Sequence, residues 1–352
     1  MNDTGPMAID DGRYDLRCGD AFTLIRDIPD DSVQLTVTSP PYNIGKSYEH
    51  RVDLDRYLEA YGPFATDLFA KTAPGGSVCW QVGNYVENGE VFPLDIFFYR
   101  ILKSAGFSLR NRVIWQFDHG LHASRRLSGR YETLLWFTKS DDYLFALDPI
   151  RVPSKYPGKR HFKGIHRGEP SGNPLGKNPS DYWTVVEQDW ESLVWHVPNV
   201  KANHPEKTSH PCQFPVEIVQ RCVLALSMPD DLVLDPFMGV GTTAIGALMH
   251  ERRFAGFEMM PDYINETEAR IAALRAGTLR VRPLGRPVYV PSGREQVSQR
   301  PQEWDEESNA AQDKRITAVF DTLGPAAGYS DSYKLGFTDG VAAARRVIAE
   351  TK

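Results

Sequence analysis

Two short strings constrain this chain most, because each follows an apolar run of the kind that forms a buried strand. The first is Ser39-Pro40-Pro41-Tyr42, directly after the run 33–38. The second begins at Asp235, after the run 232–234, and enters a glycine-rich turn. In open α/β sheets, ligands bind outside the carboxyl ends of the strands. We therefore expect both strings to face one site, although they lie far apart in the sequence.

The order of apolar patterns along the 352 residues indicates an α/β fold, because strand and helix patterns alternate. The predicted strands cover residues 14–18, 33–38, 77–82, 113–117, 132–138, 143–147, 232–234 and 254–257. Of these, 132–138 and 143–147 are expected to form a hairpin. The predicted helices cover residues 21–28, 54–73, 92–105, 215–227, 242–251 and 261–275.

Composition excludes several classes of protein. Charged residues interrupt every apolar run well before 18 residues, which predicts no membrane span and a cytoplasmic location. The four cysteines show no C-x-x-C spacing, so we expect buried thiols and neither a zinc site nor a disulfide framework. The net charge of -6 argues against a nucleic-acid partner only as an average over the chain.

The local distribution of charge differs from that average. Residues 151–178 are rich in Pro and Gly and carry seven basic residues against the single acid Glu169. Such a segment suits contacts to DNA phosphates. It could also be no more than a solvated surface loop.

The glycine-rich turn favours a nucleoside cofactor. Gly239 and Gly241 permit positive φ and a close approach of backbone to ligand, and a helix is expected to open at Thr242. Glu258 ends the next strand, where a carboxylate can bind the hydroxyls of a ribose. The alternative is that the glycines serve only a tight turn. A Walker-type phosphate loop is disfavoured, because no Gly-Lys-Ser/Thr follows.

Together these residues resemble the amino-group DNA methyltransferases that use S-adenosylmethionine. Ser39-Pro40-Pro41-Tyr42 is similar to their catalytic tetrapeptide, and the turn from Asp235 to Thr243 is similar to their cofactor loop. The catalytic string comes first, with the basic segment between the two, as in the β group of restriction-modification enzymes. The resemblance implies a circularly permuted, Rossmann-like methyltransferase fold with a mostly parallel seven-stranded sheet and an antiparallel hairpin.

The resemblance also implies roles for single residues. Ser39 and Pro40 would accept the two hydrogens of a base amine, Pro41 would stiffen the string, and Tyr42 would stack on a flipped-out base. The residues expected to bind the cofactor are Asp20, Asp235, Phe237, Gly239, Gly241, Thr242, Thr243 and Glu258. Asp20 would meet the adenine, although it could equally cap the helix that follows.

The implied organisation has four regions. Residues 14–148 form the catalytic half of the core, 149–209 an inserted target-recognition region, 210–276 the cofactor-binding half, and 277–352 a C-terminal extension without an assigned role. The implied partner is double-stranded DNA, with a cognate restriction endonuclease as a further candidate partner; the oligomeric state is left open. The residues expected to contact DNA are Lys155, Lys159, Arg160, Lys163 and Arg167.

Ser39 as the first residue of the tetrapeptide favours cytosine-N4 as the methylated atom. Asn43, after the tyrosine, keeps adenine-N6 open. A methyltransferase of RNA or protein, and a DNA-binding module without catalysis, are further interpretations of the same residues. Pro211-Cys212-Gln213 is similar to the nucleophile string of cytosine-C5 enzymes, but it precedes the cofactor loop, and we interpret Cys212 as structural.

Overall fold

Ten strands and six helices are present in the computed structural model, which describes residues 12–45, 51–117, 123–152, 159–183, 200 and 204–284. The strands are β1 (Tyr14–Cys18), β2 (Val33–Thr38), β3 (Thr72–Val82), β4 (Asn84–Glu87), β5 (Glu90–Pro93), β6 (Ser108–Gln116), β7 (Tyr131–Thr138), β8 (Tyr182–Trp183), β9 (Leu232–Asp235) and β10 (Arg253–Glu258). The helices are α1 (Ala21–Leu24), α2 (Leu54–Lys71), α3 (Leu94–Ala105), α4 (Val216–Leu226), α5 (Thr242–Leu248) and α6 (Pro261–Arg275).

Eight of the strands form one sheet in the order β1-β10-β9-β2-β3-β7-β6-β8, and β4 pairs with β5 separately. Within this sheet only β7 runs antiparallel to its neighbours. The predicted methyltransferase fold is therefore confirmed. The short edge strand β8 adds an eighth strand to the seven that were expected.

The predicted hairpin between 132–138 and 143–147 is wrong in its second strand. β7 pairs with β6 instead, and residues 143–147 form no strand. The backbone N–H groups of Leu144 and Ala146 donate to the carbonyls of Gly75 and Ala225, at 3.2 and 2.7 Å. These bonds replace a strand ladder, so the alternating pattern of 143–147 serves packing against the sheet.

Each face of the sheet has its own buried cluster. On one side α2 and α3 contribute large aromatic side chains, including Tyr61, Phe64 and Phe98, which surround Trp80 of β3. On the other side α4 and α5 contribute aliphatic side chains such as Val219 and Ile245. The sheet is therefore covered on both faces, as is typical of mostly parallel sheets.

The inserted region takes part in the core at both ends. β8 pairs with β6. The side chains of Val152 and Trp183 are buried in the cluster on the side of the sheet that α4 and α5 cover. Farther along, the Glu206 carboxylate accepts the backbone N–H of Val216, at 2.9 Å, where α4 begins. None of the described helices has the length and apolar content needed to cross a membrane.

The central strands β2 and β9 lie side by side and parallel, so their carboxyl ends meet. At that point the Thr38 hydroxyl donates to Asp235 Oδ1 at 2.7 Å, across 197 positions of sequence. The Thr243 hydroxyl donates to Asp235 Oδ2 at 2.6 Å, and the backbone N–H of Phe237 donates to Oδ1 at 3.1 Å. Burial raises the pKa of Asp235 to about 6, although these donors favour the charged form.

This raised pKa predicts a pH-dependent loss of stability. The folded protein holds the proton of Asp235 up to about pH 6, whereas the unfolded chain releases it near the ordinary pKa of 3.8. The stabilisation is therefore complete below about pH 4 and is lost as pH rises through about 6, by about 3 kcal/mol in all. Between about pH 5 and pH 8 we expect wild type to lose about 1 kcal/mol relative to Asp235→Asn. Urea unfolding of both proteins measures this difference, and equal pH dependence in the two would contradict it.

Candidate active site

A cleft of about 530 Å³ opens at the carboxyl edge of the sheet. The predicted site residues that line it are Asp20, Ser39, Pro40, Pro41, Tyr42, Phe237, Gly239, Thr242 and Glu258. They follow β1, β2, β9 and β10, which lie next to one another in the sheet. The volume is typical of small-molecule and cofactor sites. The hydrogen bond between Thr38 and Asp235 joins the two halves of this cleft.

Three predicted cofactor residues lie behind the cleft and do not line it. Asp235 is 1% exposed, and its carboxylate is directed to the two threonine hydroxyls described above. Thr243 is fully buried and also approaches the carbonyl of Val37, at 3.1 Å. Gly241 has φ of +72°, and a Cβ there would lie 2.3 Å from Thr267 Cγ2. Packing against α6 thus requires this glycine, and these three residues form the frame of the cleft.

Glu258 holds the glycine-rich turn from the neighbouring strand. Its two carboxylate oxygens accept the backbone N–H groups of Gly239 and Met260, each at 2.9 Å. Burial raises the pKa of Glu258, and the backbone donors oppose that rise. The acid at the end of β10 therefore fixes the conformation of the turn at the same time as it faces the cleft.

The uncharged rings of Phe237 and His210 form parts of the cleft wall. The Phe237 ring packs on the aromatic cluster, 5.4 Å from the ring of Phe64 between centroids. The His210 ring packs edge-on against Tyr263, with centroids 4.9 Å apart. Burial lowers the pKa of His210 to about 4, so its ring is neutral near pH 7. His210 was not among the predicted site residues.

Thr242 provides a test of whether a cofactor fits. Its side chain is 2% exposed and lines the cleft, and its hydroxyl has no hydrogen-bond partner among the described residues. A buried hydroxyl without a partner is costly, and a carboxylate or amine on a bound molecule would satisfy it. The Thr242 hydroxyl fits the amino-acid portion of S-adenosylmethionine. The Glu258 carboxylate, at the other side of the turn, fits the hydroxyls of its ribose.

Asp20 caps the helix α1 and also lines the cleft. One carboxylate oxygen accepts the backbone N–H of Phe22 at 3.2 Å, as in an N-cap of α1, and the other accepts the Thr23 hydroxyl at 3.1 Å. The residue also lines the cleft beside Glu258, because β1 and β10 are adjacent strands.

Two hydrogen bonds hold the tetrapeptide, one from α2 and one between its own first and last residues. The Tyr57 hydroxyl donates to the Pro41 carbonyl at 2.6 Å, which anchors the string to α2. The Ser39 and Tyr42 hydroxyls are 3.0 Å apart, and either can donate. Burial is the main cause that raises the pKa of Tyr42 well above its usual value. The phenol therefore stays protonated over the pH range in which proteins are stable.

Gln81 and Glu132 complete the wall beside Tyr42. Both line the cleft, and the Gln81 amide donates to the Glu132 carboxylate. A Cβ on Gly83 would lie 3.1 Å from the Tyr42 ring and 3.4 Å from Glu132 Oε1, so the backbone there approaches both side chains closely. The sequence analysis assigned Gln81 and Glu132 no role in the site.

The predicted DNA-contacting residues lie on the inserted region, outside the cleft. Lys159, Arg160, Lys163 and Arg167 are exposed, and Lys155 falls outside the described residues. The Arg160 guanidinium donates to the carbonyl of Gly168 at 2.6 Å, which closes a compact turn of the segment.

The cysteines only partly meet the expectation of buried thiols. Cys79 and Cys222 are buried, whereas Cys18 is half-buried and Cys212 is exposed. Cys212 also lines the cleft, and its backbone N–H donates to His210 Nδ1 at 3.2 Å.

Comparison with known proteins agrees with this architecture. Among solved structures, the PvuII DNA methyltransferase, described as cytosine-N4-specific, shares the fold with a TM-score of 0.55 and 21% identity. That likeness covers 73% of this chain and 85% of the other.

Sequence relatives show the family. The Type II methyltransferase M.BglII of Bacillus subtilis is 47% identical over 248 residues, which are 70% of this chain and 66% of that protein. The DNA adenine methyltransferase YhdJ of Escherichia coli (strain K12) is 32% identical over 252 residues, 70% of this chain and 78% of the relative. A model of the DNA methylase family matches residues 33–269. This chain belongs to the DNA methylase family.

Proposed function

We propose that the chain transfers a methyl group from S-adenosylmethionine to an exocyclic amino group of a base in double-stranded DNA. One observation carries the proposal: the hydrogen bond between Thr38 and Asp235 places the tetrapeptide and the glycine-rich turn on the walls of one cleft. A methyl acceptor and a methyl donor held on these two walls would lie next to each other. Positioning of this kind is a large source of catalysis.

The cofactor is S-adenosylmethionine, as family membership indicates. When bound, it supplies a sulfonium methyl group that an amine can attack directly. On the protein side, we assign Thr242 to its amino-acid portion and Glu258 to its ribose. We assign Asp20 to the adenine, because it lies beside Glu258 on the adjacent strand end. Asp235, Gly241 and Thr243 support this binding indirectly, because they keep the turn in place.

The amine of a nucleic-acid base is a weak nucleophile, because its lone pair is delocalised into the ring. We assign the Ser39 hydroxyl and the Pro40 carbonyl as acceptors of its two hydrogens, which would localise that pair on nitrogen. The Ser39 oxygen has two lone pairs, so it can accept a hydrogen from the protonated Tyr42 hydroxyl and another from the amine. The Tyr42 ring would stack on the base, a contact worth about 1–3 kcal/mol.

The choice of base rests on Ser39, and we propose cytosine-N4. Adenine-N6 stays the second candidate, because the relative YhdJ is a DNA adenine methyltransferase. In the sequence analysis, Asn43 was the residue that kept adenine open. The structure explains in another way why an asparagine occurs at this position. Its side-chain amide exchanges two hydrogen bonds with the backbone of Val52, at 2.7 and 2.8 Å, and its φ is +59°. This contact accounts for an asparagine without reference to the base.

The setting of the reaction follows from the family. We propose a bacterial restriction-modification role in the cytoplasm, with a cognate endonuclease that recognises the same site. We also propose that residues 149–209 select the target and that 14–148 and 210–276 form the two halves of the catalytic core. The role of 277–352 stays open.

The hydroxyl of Thr242 gives a prediction about cofactor binding. Thr242→Val keeps the shape of the side chain and removes the hydroxyl, so affinity for S-adenosylmethionine should fall by about tenfold, as for one hydrogen bond to a charged group. The neighbouring variant Thr243→Val removes a donor to Asp235 and should chiefly lower thermal stability, with only a smaller, indirect loss of affinity. Calorimetric titration and thermal unfolding of both variants separate the two effects. Unchanged affinity in Thr242→Val would remove this hydroxyl from the cofactor site.

The role of Ser39 gives a prediction about catalysis. Labelled methyl groups should pass from the cofactor to DNA, and not to RNA or protein offered in parallel. Ser39→Ala should lose turnover while cofactor affinity is retained, because Ser39 acts on the amine. Ser32→Ala, at the opposite end of β2, should stay active and serves as the control.

Digestion of the methylated DNA to nucleosides identifies the base by mass spectrometry. We expect N4-methylcytosine. N6-methyladenine without N4-methylcytosine would change the base and leave the catalytic arrangement as proposed, whereas transfer to RNA or protein alone would overturn the proposed substrate.

The basic segment gives a prediction about DNA binding. Reversal of charge at Lys159, Arg160 and Lys163 should weaken DNA binding and reduce the slope of log affinity against log salt by about 0.9 for each phosphate that is no longer neutralised. Reversal at Arg100 and Lys103 of α3, which are also exposed, should leave the slope unchanged. Equal slopes in the wild type and the triple variant would place the DNA on another surface.

A further inference from the structure

The connection between β6 and β7 ends in a short basic loop, residues 123–130, with three arginines and no acid. Leu127 in this loop is 93% exposed. A single exposed leucine is ordinary on a protein surface, so its exposure alone supports no conclusion. Its position beside the cleft and next to two arginines indicates that it contacts a ligand.

The basic loop forms part of the cleft wall. Arg126 and Gly129, on either side of Leu127, line the same cavity as Ser39 and Tyr42. Leu127 therefore stands beside the cleft into which a base amine must enter, with its apolar side chain directed to solvent.

Hydrogen bonds within the loop hold this position. The backbone N–H of Ala123 donates to the Ser128 hydroxyl at 3.2 Å, and the N–H of Phe117 donates to the Arg130 carbonyl at 2.9 Å. The Arg126 guanidinium donates to the carbonyl of Leu127 itself, at 3.2 Å. These bonds connect the ends and the middle of the loop, which reduces the cost of ordering Leu127 against a ligand.

The charges around Leu127 define what can approach it. Arg125 and Arg126 are exposed in the same short stretch. Guanidinium groups bind phosphate oxygens, and an apolar side chain beside them cannot. A surface with an apolar tip next to arginines matches a DNA duplex, in which phosphates lie on both sides of an apolar base stack.

A paired base reaches the cleft only after it leaves the stack, and its departure leaves an apolar gap in the duplex. Apolar side chains that enter base stacks are known to stabilise such distorted DNA. We propose that Leu127 enters the space left by the target base, while Arg125 and Arg126 bind the adjacent phosphates. This inference rests on the proposed function and assigns the basic loop as the element that stabilises the flipped state.

Two duplexes test the inference, both built on the site that sequencing of enzyme-methylated DNA identifies. One is fully paired, and the other carries a mismatch at the target base, which lowers the cost of flipping. Leu127→Ala should methylate the paired duplex about tenfold more slowly than wild type, because the smaller side chain fills less of the apolar gap, and the mismatched duplex at nearly the wild-type rate. Leu127→Met should restore the rate on the paired duplex.

The control is Met228→Ala, a similarly sized exposed side chain between α4 and β9, at the opposite edge of the sheet. It should methylate both duplexes like wild type. With a fluorescent analogue that keeps the pairing of the target base at the target position, pyrrolocytosine for cytosine or 2-aminopurine for adenine, fluorescence should rise on binding of wild type and rise less with Leu127→Ala. Cofactor affinity and thermal stability should be the same in all variants.

Wild-type rates of Leu127→Ala on the paired duplex would overturn the inference. An equal loss on both duplexes would also overturn it, because that result indicates general DNA binding. Failure of the proposed function has a different signature, in which wild type transfers no methyl group to DNA and sequencing identifies no methylated site.

Discussion

The carboxylate of Asp235 is the interaction on which the rest of the site depends. It receives the hydroxyls of Thr38 and Thr243 and thereby joins the end of β2, the end of β9 and the start of α5. Because the junction is buried, each unpaired group would carry a large desolvation cost. The tetrapeptide and the glycine-rich turn therefore keep their relative position through a group that lies behind both of them.

Around this junction, the site uses backbone geometry as much as side-chain chemistry. Glu258 holds the glycine-rich turn through two N–H groups, and Tyr57 holds the tetrapeptide through the Pro41 carbonyl. Both anchors come from neighbouring elements of the fold. A change in either anchor would move one wall of the cleft, and transfer between two bound molecules is sensitive to displacements of about 1 Å.

The surface around the cleft offers two kinds of contact for the proposed DNA substrate. The inserted region presents exposed basic residues that suit phosphate contacts, whereas the basic loop beside the cleft presents Leu127 next to arginines. Electrostatic attraction alone cannot release a base from its stack, since phosphate contacts position the duplex without reading or opening it. In the proposed mechanism, the apolar side chain of Leu127 beside the cleft would supply the complementary interaction.

The sequence by itself determined the strands 33–38 and 232–234, the tetrapeptide and the glycine-rich turn, and these strings carry the resemblance to the family. These features are local, because they depend on apolar period, proline and glycine. Only the tertiary structure decided that Asp235 and Thr243 face inward, that Gly241 is required by Thr267, and that β6 rather than residues 143–147 completes the hairpin. That Gln81, Glu132 and Leu127 lie beside the cleft was likewise not predicted from the sequence. The physical reason is that a side chain at a strand end or in a loop can face the core, the cleft or solvent, and contacts between distant segments select among the three.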